Sequence, residues 1–210
     1  RFTLACLIKT YLLANFHPFY VKVGNYIVYF PSYKYMESVA DIFCARYPTV
    51  SVAIQRSGMT RAEREEFLSF FTADEGRLRV GFCVLGGSFS EGVDLPGSRL
   101  IGTLIVGVGL PGLSAERNII RDYFENRAEC GYDYSYTYPG MNSILQAAGR
   151  VIRRPEDKGV VVLIDDRYAE EKYRALYPPH WEGMKFAGDI PSLQASLAEF
   201  WTKFAPTDKK

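Results

Sequence analysis

Five short runs of apolar, β-favouring residues, each followed by a turn or a helical pattern, limit what this chain can become. They are Tyr26–Phe30, Val50–Ile54, Leu78–Leu85, Arg99–Val108 and Gly159–Ile164. Runs of this length with little polar alternation suit strands buried on both faces. Strands that alternate with helices form a mostly parallel sheet with helices on both of its faces. The fold class is therefore α/β. With 210 residues, 48% of them hydrophobic, the chain can bury one core of ordinary size. Pro18 and the Pro178-Pro179 break separate no piece large enough to be a domain, so residues 1–210 read as one unit.

The two ends read as helical. Leu4, Leu7, Ile8, Tyr11 and Leu12 form an apolar stripe, which predicts an opening helix within residues 1–23. Leu193, Leu197, Phe200, Trp201 and Phe204 repeat at helical spacing after Pro191-Ser192, which predicts a helical extension over residues 180–210. The formal charge of +1 gives no overall basic field, so any nucleic-acid site must be a local patch. No apolar run approaches the ~20 residues that span a bilayer, and no export signal is visible, so a cytoplasmic protein with no membrane partner is expected. Cys6, Cys44, Cys83 and Cys130 are scattered, with no C-x-x-C pair. That spacing argues against a zinc or iron–sulfur site within this chain and reads as buried, inert thiols in a reducing compartment. The chain opens on Arg1 rather than Met, which reads as a cut from a longer protein.

The most specific stretch is Asn142 to Pro155. At about 100° per residue, Gln146, Arg150 and Arg153 fall within roughly 60° of one another on one face of a helix. Ile144, Leu145, Ala148, Val151 and Ile152 collect on the opposite, core-facing side. Pro155 cannot continue a helix and disfavours it at Arg154, so the helix is expected to end there. Gly149 keeps the polar face low and admits a ligand or another backbone. Two guanidiniums one turn apart match phosphate oxygens with paired donors. Two arginines alone are also an ordinary solvated face.

A second stretch follows the third strand: Gly86-Gly87-Ser88-Phe89-Ser90-Glu91-Gly92-Val93-Asp94-Leu95-Pro96-Gly97. Its glycines permit backbone conformations closed to other residues, and it carries Glu91 and Asp94 three apart. Loops at the carboxyl ends of parallel strands are where such sheets place ligand contacts. Ser32, Tyr33 and Lys34, after the first strand, offer a hydroxyl, a ring and a cation for phosphates and a base. They equally suit a polar strand-to-helix turn. Arg56, at the end of the second strand, is a further candidate for nucleic-acid contact. Thr60-Arg61-Ala62-Glu63 is a capping box that opens a helix to about Phe71. Tyr132, Tyr134, Tyr136 and Tyr138 suit either a base-stacking platform or a connection packed under the motif helix. Asp165 and Asp166 read as caps for a helix near Tyr168 and as partners that orient Arg153.

Gln-Ala-Ala-Gly-Arg-Val-Ile-Arg (146–153) resembles the sixth helicase motif of superfamily 2, most closely that of the DinG/XPD-like DNA helicases. Ser-x-Ser-Glu-Gly-x-Asp-Leu (88–95) looks like motif V of the same group. DinG-like members commonly have Trp where this chain has Ser90, which is nearer the XPD-like form. The resemblance runs over nearly the whole chain. It implies a RecA-like second motor domain of an ATP-dependent DNA helicase, of P-loop NTPase type but without its own P-loop. No G-x-x-x-x-G-K-[ST] loop and no acidic metal-holding box are present. By the resemblance, ATP and Mg²⁺ sit mainly on the first motor domain of the same polypeptide, as does the iron–sulfur cluster where a member has one. This chain is then half an active site with no metal of its own, inactive as an isolated fragment.

The resemblance also implies the roles. Arg150 and Arg153 act as arginine fingers on the γ-phosphate, and Gln146 orients water or phosphate. Glu91, Gly92, Asp94 and Gly149 line the nucleotide, with Glu91 and Asp94 holding the arginines or the ribose. Ser32, Tyr33, Lys34, Arg56, Ser88, Phe89 and Ser90 face single-stranded DNA. The alternative is a non-catalytic module that binds single-stranded nucleic acid or a protein, with an idle nucleotide face. A doubly wound small-molecule enzyme is disfavoured, because Phe30-Pro31-Ser32-Tyr33 stands where a dinucleotide fingerprint needs glycines.

Overall fold

The computed structural model describes residues 2–6 (as backbone), 21–73, 76–87, 89, 94–127 and 129–204. All five anticipated strands are present: β2 Asn25–Phe30, β3 Ser51–Ile54, β4 Arg79–Val84, β5 Gly102–Val106 and β6 Val160–Ile164. Two more, β1 Phe2–Cys6 and β7 Lys185–Ala187, complete a seven-stranded sheet in the order β3-β4-β2-β5-β6-β1-β7. Every pairing in it is parallel.

β1 corrects the opening helix. Phe2–Cys6 pairs on both sides, with β6 from Phe2 to Cys6 and with β7 from Leu4 to Cys6. A slot between two strands satisfies the backbone of those residues, and that outweighs a local apolar stripe. The rest of the expected helix, residues 7–20, lies outside the described residues. The carboxyl-terminal extension is likewise not purely helical. β7 comes first, and α6 (Ile190–Thr202) follows, capped by Asp189.

The remaining helices are α1 Tyr33–Arg46, α2 Arg61–Ser69, α3 Ala115–Glu125, α4 Tyr138–Ala148 and the single turn α5 Glu171–Arg174. Alternation along the strands sends side chains to two separate cores. Tyr26, Val28 and Phe30 meet Met36 and Phe43 of α1 and Leu193 and Leu197 of α6 on one face. Ile27 and Tyr29 meet Phe67 of α2 and Met141, Ile144 and Ala147 of α4 on the other. Helices therefore cover both faces, as expected. Among the described residues no helix is long and apolar enough to cross a membrane.

The expected capping box is formed: Thr60 accepts from the Glu63 amide, and Glu63 accepts from the Thr60 amide. Bonds from Thr60, backbone first and then side chain, hold the Glu63 carboxyl below its ordinary 4.5. A pKa lowered in the folded state gives stability that is full at neutral pH and is lost as pH falls through the folded value. Glu63→Gln keeps a capping group but cannot titrate. It is expected to flatten part of the fall in melting temperature below about pH 4.5, read from melts across an acid series.

The thiols differ from expectation. Cys83 is buried, whereas Cys44 and Cys130 are exposed. Cys44 lies on the outer side of α1, and Cys130 on the connection after α3, where neither has a core to enter.

Candidate functional site

The site spans the sheet: Ser32–Lys34 and Arg56 follow the carboxyl ends of β2 and β3, whereas the segment of Arg150 and Arg153 passes the amino end of β6, where Val151 lies against Gly159. α4 delivers its first component. A turn of π-helix over Asp133–Thr137 leads into α4, whose start lies against the loop after β5. There Gly140 and Gly109 cross backbone to backbone: a Cβ on Gly140 would stand 2.7 Å from the Val108 carbonyl oxygen. Only glycine admits that approach.

α4 ends at Ala148 rather than continuing to Arg154. Gly149 is the C-cap, and the Arg150 and Val151 amides bond to Ala147 and Ala148 three residues back. The last turn tightens in this way and the chain then leaves the helix axis. Asp157 accepts from the Arg153 and Arg154 amides, which shapes the segment beyond. Gln146 is exposed on the last turn of α4 and Gly149 is exposed beside it, while Arg150 and Arg153 lie past the helix. A single helical face does not carry the three polar side chains. A helix end and the turn after it do.

The Arg153 guanidinium pairs with the Asp94 carboxylate, 59 residues earlier in the chain. Both arginines also act on the Tyr29 hydroxyl, which burial pushes well above its ordinary pKa, with Cys83 adding to the rise and the two positive charges pulling the other way. That hydroxyl donates to the Phe89 carbonyl at 3.0 Å. One buried tyrosine of β2 thus bonds to one motif segment and feels the positive charge of the other. Asp165 caps the 3₁₀ turn Asp166–Ala169, as a cap near Tyr168 was expected to do, and takes a two-pronged bond from Arg167 at 2.8 and 2.9 Å.

Phe89 does not face nucleic acid. It is buried, its ring 4.4 Å from that of Phe67, because an apolar ring beside the α2 core gains more inside than out. Ser88, Ser90, Glu91 and Gly92 lie outside the described residues. Ser32 caps α1 by accepting from the Tyr35 amide, and Lys34 is exposed one residue into the helix. Arg56 is exposed and paired with Glu63 on the first turn of α2 at 2.8 Å.

Gln55 is the residue that sequence reading passed over. It is buried at the end of β3, donates from Nε2 to the Tyr33 hydroxyl, and accepts at Oε1 from the Val84 amide, both at 2.8 Å. It ties the start of α1 to the end of β4. A polar residue closing an apolar run is its only signal in the sequence. Gln55→Leu leaves the Val84 amide and the Tyr33 hydroxyl without these partners. It is expected to cost about 1–3 kcal/mol of stability in chemical denaturation.

The tyrosine run after α3 divides by helical, not alternating, geometry. Tyr136 is buried, whereas Tyr132, Tyr134 and Tyr138 are exposed. Phe124 of α3 stacks on Tyr134 at 3.9 Å with the planes 9° apart.

Comparison with known proteins bears on this arrangement. Residues 18–184 match the family described as the helicase C-terminal domain. The chain belongs to that family. It is 28% identical over 170 residues to regulator of telomere elongation helicase 1 of Bos taurus, covering 72% of this chain and 14% of that protein. It is also 28% identical over 167 residues to the XPD helicase subunit of general transcription and DNA repair factor IIH of Schizosaccharomyces pombe, covering 72% and 21%. A probable ATP-dependent helicase of Methanocaldococcus jannaschii is 28% identical over 162 residues, covering 70% and 24%. The chain thus spans at most about a quarter of these relatives. Among solved structures, apo XPD superposes with a TM-score of 0.68 at 19% identity, covering 90% of this chain and 40% of that one. The C-terminal domain of the DEAD-box protein Dbp5 superposes at 0.59 and 14% identity, covering 94% and 97%. Both show the same RecA-like fold, and the XPD-like resemblance of the motifs is met by the relatives.

Proposed function

We propose that the chain is the second motor domain of an ATP-dependent DNA helicase that couples hydrolysis to movement on single-stranded DNA and to duplex unwinding. The observation that carries this reading is the Arg153–Asp94 pair, which brings the two motif segments together. In this reading ATP is held by the first motor domain of the same polypeptide and closes against the Arg150 side. Arg150 and Arg153 stabilise the charge that grows on the γ-phosphoryl oxygens, and Gln146 orients the attacking water. Asp94 holds Arg153 in place until phosphate competes for it, while Glu91, Gly92 and Gly149 line the nucleotide. Ser32, Tyr33, Lys34, Arg56, Ser88 and Ser90 contact the strand, so closing and opening of the cleft moves DNA past the sheet. Mg²⁺ is assigned to the first domain. Among the described residues no group of three or more His, Cys, Asp or Glu could hold a metal. A reducing cytoplasm suits the exposed thiols of Cys44 and Cys130.

The test is ATP hydrolysis and strand displacement by the full-length protein, with and without single-stranded DNA, beside residues 1–210 alone. DNA-stimulated hydrolysis by the whole protein and none by the fragment is the expected result. A full-length protein that binds single-stranded DNA but never hydrolyses ATP would make this chain a binding module.

A further inference from the structure

The chain leaves α4 at Gly149 and enters β6 at Val160, and residues 150–159 between them carry both motif arginines. Packing closes the base of this loop. Val151 is buried, and a Cβ on Gly159 would overlap its side chain, so only glycine fits there. Lys158, beside Gly159, has its ammonium 4.6 Å from the Phe204 ring that follows α6. Between these ends Arg153, Arg154, Pro155 and Glu156 are exposed and belong to neither core. Bonding rather than burial has to fix their backbone.

Asp157 supplies that bonding. Its amide donates to the Arg154 carbonyl at 3.1 Å and closes a four-residue turn with Pro155 second, where a ring-locked φ suits a turn. Its carboxylate oxygen Oδ2 accepts from the Arg153 amide at 3.0 Å and from the Arg154 amide at 2.9 Å. Bonds from amides to an ionised carboxylate are the stronger, charge-assisted kind. They fix the direction in which the Arg153 side chain leaves the backbone. The far end of that side chain is paired with Asp94. Arg153 is thus held twice, at its amide by a carboxylate four residues on and at its guanidinium by one 59 residues back.

We infer that Asp157 is a positioning residue for ATP hydrolysis, setting the backbone of Arg153 so that the guanidinium stands ready for the γ-phosphate before the cleft closes. The inference rests on the finger role proposed for Arg153 and adds a division of labour between two carboxylates. Asp94 competes with phosphate for the guanidinium, whereas Asp157 bonds to the main chain and keeps its hold throughout turnover. Loss of Asp157 therefore lowers kcat and leaves the KM for ATP nearly unchanged, because the misplaced group is one that meets charge in the transition state. Asp157 is half-buried and outside both cores, so its replacement spares the packing.

The test is DNA-stimulated ATP hydrolysis by the full-length protein carrying Asp157→Ala, Asp157→Asn, Arg153→Ala, or Arg153→Ala with Asp157→Ala. Asp157→Ala is expected to cost about 10²-fold in kcat, the scale of a slightly misplaced group. Asp157→Asn keeps a side-chain oxygen for the two amides and is expected to recover most of that loss. Once Arg153 is Ala, removing Asp157 as well is expected to cost less than about twofold more, because it acts through that arginine. Hydrogen exchange in the unaltered protein needs no variant: the Arg153 and Arg154 amides are expected to exchange more slowly than unbonded amides of the same sequence, despite their exposure. A wild-type kcat in Asp157→Ala, a loss confined to KM, an equal loss in the Arg153→Ala background, or unprotected amides would each overturn the inference and leave Asp157 a turn former. Wild-type hydrolysis by Arg153→Ala would instead overturn the finger reading on which it stands.

Discussion

Arg150→Ala in the full-length protein is expected to lower DNA-stimulated ATP hydrolysis by about 10³-fold or more, the scale on which an arginine finger acts. The argument is geometric. Arg150 follows the C-cap of α4 directly, and its amide bond back to Ala147 ties its position to the helix end. It is half-buried rather than part of either core, so truncation should leave the fold intact. If the guanidinium meets charge that develops only in the transition state, kcat falls while the KM for ATP changes little. Arg150→Lys keeps a positive charge but loses the planar fork, and should recover only part of the rate. Unchanged hydrolysis in the alanine variant would sink the assigned role. Arg153→Ala would be harder to read, because it also strips Asp94 of a partner. Comparing Arg153→Ala, Asp94→Ala and the double variant separates the pair from the finger.

The central strands were legible because burial on both faces leaves a plain signature: β2, β5 and β6 are buried at every position. The strands at the other edge were not. β7 has three residues, too few for a pattern, and β1 carries a helical stripe that only its two neighbours overrule. The helix of the motif arginines was expected to run to Arg154, before Pro155, when Gly149 already ended it. Phe89 illustrates the opposite error. Its place in a ligand-facing motif suggested exposure, yet a ring beside Phe67 is worth more in the core. Gln55 and Tyr29 were invisible as site residues because the groups they serve lie 29 and 60 residues away. No local pattern records a contact of that span.

Tyr29 carries the second large effect. Its ring is fully buried within the cluster that packs α2 and α4 on the sheet, and its hydroxyl holds the Phe89 carbonyl. Tyr29→Ala removes both and leaves a cavity beneath the arginines, so the 210-residue chain is expected to lose about 3–5 kcal/mol in guanidinium denaturation. Against a total stability of roughly 5–15 kcal/mol, that is enough to unfold a marginal domain. Tyr29→Phe isolates the hydroxyl. It keeps the ring, deprives one carbonyl of its donor, and should cost only about 1 kcal/mol. Phe89 heads the segment that carries Asp94, and Asp94 holds Arg153, so the same variant tests whether the buried bond also sets the site. If it does, Tyr29→Phe in the full-length protein lowers hydrolysis by more than its stability loss explains at a temperature where the variant is fully folded. A Tyr29→Phe enzyme with wild-type turnover would make the hydroxyl a packing feature, and the alignment of Arg153 would then rest on Asp94 and Asp157.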